Sequence, residues 1–285
     1  MSESWVLLFP AIILFVAILA TIGLLIVRRM PRFVGMFHEN EVAGHQFAAL
    51  GVLYGALLAF VVFAAWERWS EAQHAVSEEA AAIVTAYRDT QDFPDPLKGE
   101  AQVAYRGYID AVVQREWANH GTVTAHTTPD ALNPLYEIYR SWIPENTMNE
   151  LRLQSAEDRL HDLELIRHER HLSSEVTLPW IFLVMLVLGG AIMIVFSYFF
   201  QHSSLKSHAV MTFVSTAMLV GVLLLIYSLN QPFTGPVTVS QQPLQHAKLQ
   251  LDALDMEAPI PSPEPRPEAT PAPTLAPGAS LAPAS

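Results

Sequence analysis

Four long apolar runs dominate the pattern of hydrophobic and polar positions. They cover residues 5–27, 45–66, 176–200 and 209–229, and none of them contains Asp, Glu, Lys or Arg. Each run exceeds the roughly 20 residues that an α-helix needs to cross about 30 Å of hydrocarbon. The pattern therefore predicts an all-α integral membrane protein with four transmembrane helices, arranged as two hairpins at 1–66 and 176–230.

The second run continues into a polar segment without a helix-breaking residue. Residues 51–72 read GVLYGALLAFVVFAAWERWSEA, with no Pro and with no Gly after Gly55. Apolar residues recur at steps of three and four from Trp66 to Tyr87, and polar residues between them predict a solvated face: Glu71, Gln73, His74, Glu78 and Glu79. We expect one rigid helix from about residue 45 to residue 88, which stands well clear of the membrane.

Residues 67–175 predict an extramembrane helical domain. Helical periodicity covers about 97–120, 131–142 and 146–173, and no stretch alternates with period two, so the domain is expected to be an all-α bundle. After the last span come a post-membrane segment, 231–257, and a Pro/Ala-rich tail, 258–285. The tail has too few apolar residues to form a core and is predicted to be disordered.

The composition agrees with a membrane protein, because 51% of the residues are hydrophobic and only 15% are charged. The segment 67–175 has 20 Asp and Glu residues against 10 Lys and Arg residues, a surface that favours cations over anions. No basic stripe suits nucleic acid. The chain has no Gly-rich phosphate loop and no HExxH, CxxC or GxSxG motif, so we expect neither enzyme activity nor a cofactor.

The basic residues of the short loops predict the orientation. Arg28, Arg29 and Arg32 lie between the first two spans, and Lys206 lies between the last two. Short loops rich in Lys and Arg stay in the cytoplasm, so loops 28–44 and 201–208 are predicted to be cytoplasmic. The N-terminus, the segment 67–175 and the C-terminal tail would then be extracytoplasmic. The absence of cysteine suits an oxidising compartment.

Small residues recur along one side of the second span. Ala48, Gly51, Gly55 and Ala59 are three to four residues apart, a spacing that lets two membrane helices approach closely. This stripe predicts a helix-packing interface with another span or with a second copy in a homo-oligomer. A Gly pair in the third span, 189–190, predicts another close approach.

Histidine and glutamate recur along one face of the last domain helix. Their steps are four, three, four, three and four residues: Glu157, His161, Glu164, His168, His171 and Glu175. Side chains at this spacing can hold Zn²⁺ or another divalent ion, so His161, Glu164, His168 and His171 are candidate metal ligands. A pH-sensing cluster and a solvated helix face fit the same pattern.

Four segments carry a resemblance to a known family. They are NEVAGHQFAALGVLYGALLAFVVFAAWERWSEA at 40–72, EAAAIVTAYR at 79–88, FSYFF with SLKSHAVMT within 196–212, and NQPFTGPVTVSQQPL at 230–244. Together they resemble the bacterial bestrophin-like family of unknown function. The resemblance implies a multi-pass protein of the bacterial inner membrane.

The second span is also similar to the pore helix of the true bestrophin anion channels. In that helix, Phe, Val and Leu line a narrow neck ahead of an Arg-Trp-Trp-like sequence, and similar residues here are Leu57, Phe60, Phe63, Trp66, Arg68 and Trp69. The likeness implies that Phe60, Phe63 and Trp66 form a candidate pore constriction.

Two functions fit the sequence. One is an oligomeric ion channel or transport-related assembly with the second span at its centre. The other is a membrane-tethered sensor or scaffold, whose acidic extracytoplasmic domain binds a partner protein or a divalent cation. A rigid helix suits both functions, because it couples a domain to a membrane span.

Overall fold

The computed structural model describes residues 3–30, 40–117, 131–175, 177–200 and 204–256. These residues form helices and contain no strand. The helices are α1 Glu3–Arg29, α2 Asn40–Asp89, α3 Leu97–Ala111, α4 Asn133–Ser141, α5 Thr147–Glu175, α6 Trp180–Ser197, α7 Leu205–Leu229 and α8 Gln242–Met256. The predicted disordered tail, 258–285, and residues 31–39 of the predicted loop 28–44 lie outside the described residues.

Four helices are long and apolar enough to cross a membrane, and they coincide with the four apolar runs: α1, the first half of α2, α6 and α7. The third span begins at Trp180 and not at residue 176, because Pro179 directly precedes the first helical residue. The fourth begins earlier than predicted, at Leu205, where the Ser204 hydroxyl accepts a hydrogen bond from the Ser207 amide.

The predicted continuous helix is confirmed. Helix α2 runs for 50 residues without interruption and is therefore about 75 Å long. Its N-terminal half packs with the apolar helices α6 and α7, and its C-terminal half packs with the helices of the predicted extramembrane domain. A single 3₁₀ turn, Thr90–Asp92, ends it before the Pro-containing connection to α3.

Within the membrane bundle, α1 packs on α7, and one side of α2 packs on α6 and α7. The close approach predicted at residues 189–190 is present. The Tyr54 hydroxyl donates to the Leu186 carbonyl at 2.6 Å, and a Cβ atom on Gly189 would lie 2.6 Å from the Tyr54 ring. A side chain at position 189 would therefore force the Tyr54 ring to move.

The domain core is formed by the outer half of α2 together with α3, α4, α5 and α8. Aliphatic and tyrosine side chains fill it, including Ile83, Tyr87, Tyr105, Leu135 and Leu160. The predicted second domain helix ends as an α-helix at Ala111 and continues as a π turn, Val112–Glu116. This bundle confirms the predicted all-α architecture.

Helix α8 lies in the post-membrane segment, for which the sequence pattern predicted no element. It buries Leu244, Ala247 and Leu251 against the domain. Four polar contacts with the domain flank these buried residues: Arg106 pairs with Asp252 at 2.6 Å and with Asp255 at 2.5 Å, the Tyr87 hydroxyl donates to Asp255, and Lys248 pairs with Asp110. The segment after the fourth span therefore returns to the domain and packs on it.

Candidate functional site

One side of the membrane half of α2 is packed and the opposite side is open. The packed side presents Tyr54, Leu58, Val61 and Ala65 to α6 and α7. At about 100° per residue, Phe63 projects half a turn away from Tyr54. Phe60 and Phe63 are 71% and 62% exposed, so the described part of the protomer leaves most of each side chain uncovered.

This open side continues beyond the membrane as an acidic stripe. After Phe60 and Phe63 come Glu67, Glu71, His74 and Glu78, at steps of four, four, three and four residues. All six side chains are exposed, and His74 Nδ1 lies 3.2 Å from the Glu78 carboxylate. We call these six residues the aromatic–acidic face. Sequence periodicity had identified the acidic residues only as a solvated surface, not as a continuation of the aromatic positions.

Trp66, the third residue of the predicted constriction, lies at the edge of this face. Its ring stacks on Trp69 with the ring centroids 5.3 Å apart, and the Trp69 indole N–H donates to the Val237 carbonyl. Trp66 is half exposed and is held at the junction between the span and the domain. A role of Phe60, Phe63 and Trp66 in a pore stays a prediction.

The small-residue stripe of α2 has little contact inside the protomer. A Cβ atom on Gly55 would meet nothing within 4 Å, and one on Gly51 would meet only Met193, at 3.5 Å. Ala48 and Ala59 are exposed. Apart from Met193 of α6 near Gly51, no described span lies against the stripe, and its role as an interface between copies stays a prediction.

The candidate metal ligands on α5 have different neighbours. His161 lies 3.9 Å from Glu164, whose carboxylate accepts the Tyr136 hydroxyl at 2.5 Å. His168 is exposed, whereas His171 approaches Glu116 and Arg167. No group of three or more His, Cys, Asp or Glu residues within the described ranges is arranged to hold a metal ion. The four residues are thus not brought together.

Sequence reasoning missed a buried ionic network between α2, α3 and α5. Arg170, only 1% exposed, binds both carboxylate oxygens of Glu79 and donates to Glu116 at 2.5 Å. Arg167 donates to Glu116 at 2.9 Å, and the Tyr108 hydroxyl donates to Glu79 at 2.5 Å. The placement of Glu79 on the solvated face was wrong, because this side chain is fully buried.

The network shifts the ionisation of its members. Burial, with the negative charge of Glu79, raises the pKa of Tyr108. Burial also opposes ionisation of Glu116, but the charges of Arg170 and Arg167 outweigh it and lower the pKa of that carboxyl. Burial and the Arg170 charge lower the pKa of His171. The two carboxylates and the two guanidinium groups lie within ion-pair distance of one another, so their charges compensate each other.

A signal for this network is present in the sequence. One row of α5 faces the core at steps of four, three, four and three residues: Ala156, Leu160, Leu163 and Arg170 are buried, and the side chain of Arg167 is only 11% exposed. The arginines thus occupy core positions of a helical pattern that begins with apolar residues. A charged residue at a core position needs a buried partner of opposite charge, which Glu79 and Glu116 supply.

The comparison with protein families decides the identity of this helical membrane fold. A family model described as a bestrophin-like domain matches residues 13–244. The chain belongs to the bestrophin-like family. This membership confirms the family resemblance of the sequence and the assignment to membrane proteins. It also supports the expectation that the protein is not an enzyme, which stays a prediction.

Solved structures share the fold of this bestrophin-like protein. A bacterial bestrophin homologue from Klebsiella pneumoniae, carrying a point mutation, is 15% identical, with a TM-score of 0.59 over 86% of this chain and 99% of that chain. A second crystal structure, described only as a membrane protein, is 13% identical, with a TM-score of 0.61 over 87% and 99%. No curated protein matches the chain.

Proposed function

We propose that this bestrophin-like protein is a homo-oligomeric ion-conducting assembly of the bacterial inner membrane, with the aromatic–acidic face of α2 lining a central path. The observation that carries the proposal is the continuity of that face. Two aromatic side chains near the end of the span are followed on the same helix surface by Glu67, Glu71 and Glu78, all exposed in the protomer.

The two parts of the face have different roles in this proposal. Rings of Phe60 and Phe63 from several copies form a narrow apolar constriction, which controls ion passage by dewetting. The carboxylates beyond it raise the local concentration of cations. Because the buried network contains two acidic and two basic residues, it is neutral, and the whole acidic excess of the domain lies outside it. The expected selectivity is for cations over anions.

Association of the copies is assigned to the stripe of Ala48, Gly51, Gly55 and Ala59. Since the chain has no cysteine, single-cysteine variants can test this interface directly. Oxidation of Gly55→Cys or Ala59→Cys in the membrane should give covalently linked copies. Leu14→Cys, on an exposed side of α1, is the control and should stay monomeric on denaturing gels. Equal cross-linking of all three variants would exclude a specific interface at the stripe.

Ion flux tests the path itself. In vesicles that contain the purified oligomer, Phe60→Ala and Phe63→Ala should increase flux, because they widen the constriction. Phe182→Ala, which removes an exposed ring from α6, should leave flux unchanged. The double variant Glu71→Gln, Glu78→Gln should lower the ratio of K⁺ to Cl⁻ permeation. Unchanged flux in both Phe variants would contradict a constriction at this position.

The proposed orientation places the domain and both termini outside the cytoplasm, as the Arg28, Arg29 and Lys206 positions favour. A membrane-impermeant thiol reagent should label Ile143→Cys, at an exposed site in the domain, in intact cells. Labelling only after the cells are opened would reverse the orientation.

An exposed apolar patch on the domain favours a second candidate function, a tethered scaffold. Ile143 lies in the connection between α4 and α5, and Met148 and Leu151 lie in the first two turns of α5; all three are more than half exposed. Such a patch suits a protein partner. A monomeric protein in nanodiscs that gives no ion flux would favour this scaffold over the channel.

A further inference from the structure

A cavity of about 570 Å³ opens between α2, α6 and α7 inside the membrane bundle. This volume falls in the range of about 300–1,000 Å³ that is typical of small-ligand sites. Apolar side chains supply most of its wall, including Phe47, Met193, Ile194 and Leu219. The space exists partly because α2 contributes Gly44 to the wall, where a Cβ atom would meet nothing within 4 Å.

Two threonines of α7 make this cavity more than an apolar gap. Thr212 and Thr216 line it, both are at least nine-tenths buried, and neither hydroxyl has a hydrogen-bond partner among the described residues. Hydroxyls in helices commonly donate to the carbonyl four residues earlier. Thr21 and Ser228 of the same protein do so, at 2.8 and 2.7 Å. The two cavity threonines are therefore exceptions within one chain.

His208 forms the polar end of the cavity, and Arg28 of α1 holds its ring in place. Arg28 Nη2 lies 3.0 Å from His208 Nδ1 and donates to the Phe200 carbonyl at 3.2 Å. His208 Nε2 lies 3.1 Å from the Ser197 carbonyl. These contacts fit the tautomer with its proton on Nε2, since Nδ1 then accepts from Arg28 and Nε2 donates to the carbonyl.

We propose that the cavity is a binding site for one phospholipid, with the headgroup phosphate near Arg28 and His208, the ester oxygens at Thr212 and Thr216, and one acyl chain along the apolar wall. The order of groups along α7 matches such a molecule. Thr216 lies two helical turns, about 12 Å, deeper than His208. Rotation about χ1, between the two rotamers that helical Thr adopts, turns each hydroxyl from the helix toward an ester oxygen.

A phospholipid fits these observations better than water or a peptide. An apolar wall disfavours a large cluster of water, and a buried hydroxyl in hydrocarbon requires a hydrogen-bond acceptor. The surrounding bilayer supplies phospholipids, in which ester oxygens that can accept from the threonine hydroxyls lie next to an acyl chain that suits the apolar wall. The site is independent of ion conduction, so it can be tested whether or not the protein is a channel.

The test uses the full-length protein after removal of lipid in detergent. Phosphatidylglycerol is titrated back, bound copies are counted by native mass spectrometry, and a diazirine in its acyl chain is used to map contacts by peptide sequencing. We expect one retained lipid per protomer and labelling concentrated on Phe47, Met193 and Leu219. The double variant Thr212→Val, Thr216→Val keeps the side-chain shape and should weaken retention about tenfold, as expected for two lost hydrogen bonds.

A volume change provides the second arm. Gly44→Leu places a side chain in the cavity and should abolish both retention and labelling, whereas Ala191→Leu places the same side chain on an exposed side of α6 and should change neither. Thermal unfolding of each variant checks that it is folded, and the threonine double variant remains informative where Gly44→Leu is not. Labelling of the cavity no stronger than that of Leu14 on α1, or retention unaffected by the threonine variant, would overturn the proposal. So would disulfide linkage between copies through Ser215→Cys, which would assign the cavity to a subunit interface.

Discussion

The two halves of α2 follow the same helical geometry but are covered very differently. In the outer half, Ala72, Val76, Glu79 and Ile83 are all buried by the domain. In the membrane half, only 6% of the most apolar stretch of 18 residues is buried, against 22% of the corresponding stretch in α7. The outer half thus completes its packing within one chain, while the inner half keeps an open side for lipid or another copy. One helix can therefore have all its apolar contacts within the chain at one end and an uncovered apolar side at the other.

The largest loss of stability is expected from breaking the buried ionic network in the outer half of α2. Arg170→Ala leaves Glu79 and Glu116 buried with less compensation, and we expect the domain to lose about 3–5 kcal/mol of stability. Thermal unfolding followed by circular dichroism measures this loss. Arg159→Ala is the control, because its pair with Asp89, at 3.4 Å, is largely exposed and should contribute under about 1 kcal/mol. Equal losses in the two variants would show that the buried network stabilises the domain no more than an exposed ion pair does.

A glycine pair tests the other half of the comparison. Gly189→Ala should destabilise the protomer by about 1–3 kcal/mol, because the new Cβ atom collides with Tyr54. Gly55→Ala should leave protomer stability almost unchanged, since nothing lies near its Cβ position. Unfolding midpoints in detergent measure both effects. A large loss in Gly55→Ala for a protein shown to be monomeric would break the distinction between the packed and open sides.

The attachment of α8 should have a smaller effect. Arg106→Ala removes two partly exposed ion pairs with Asp252 and Asp255, at a cost of about 1 kcal/mol. Hydrogen exchange should become faster in α8 and stay unchanged in the membrane half of α2. Lys98→Ala, on the same helix as Arg106, is the control, because Lys98 has no ion pair in the part of the chain that the structure describes. Faster exchange throughout α2 would show that α8 stabilises the whole helix.

The smallest effect is expected from pH. The pKa of His171 is lowered from 6.5 by burial and by Arg170, so the unfolded state takes up a proton first, and stability falls as the pH drops below about 6.5. The pKa of Glu116 is lowered from 4.5, so its contribution is present above that value and is lost as the pH falls further. In unfolding measurements across this range, His171→Asn should remove the upper part of the decline and keep the lower part. A decline identical to that of the natural protein would exclude His171 as its source.

The sequence predicts the membrane spans and the long helix because those depend on continuous runs of one residue class. Helix α8 could also have been predicted, since Leu244, Ala247 and Leu251 keep a helical spacing within an otherwise polar segment. The buried network is harder to predict. Glu79 and Arg170 belong to residue types that usually face water. They are 91 residues apart in sequence, and only their core positions on two helices indicate that they meet.

The open side of α2 is ambiguous for a physical reason. In water, an exposed Phe would indicate a missing partner, but in a bilayer lipid tails cover it equally well. Phe60 and Phe63 therefore look the same, in sequence and in one protomer, whether they face lipid or a pore. The acidic residues that follow on the same side face water in both cases, so the ion flux of the Phe60 and Phe63 variants distinguishes a pore from a lipid-facing surface.

The uninterrupted course of α2 also makes it a lever. About 35 Å of helix extends from Trp66 to Asp89, and no hinge lies between them. A rotation of about 10° at the membrane edge would carry the far end through about 6 Å, roughly one helical turn. The domain, which Arg170 and α8 hold against this part of α2, would move as a rigid body. Small changes in how the spans pack would then be amplified into displacements large enough to be read at a distance by fluorescence energy transfer.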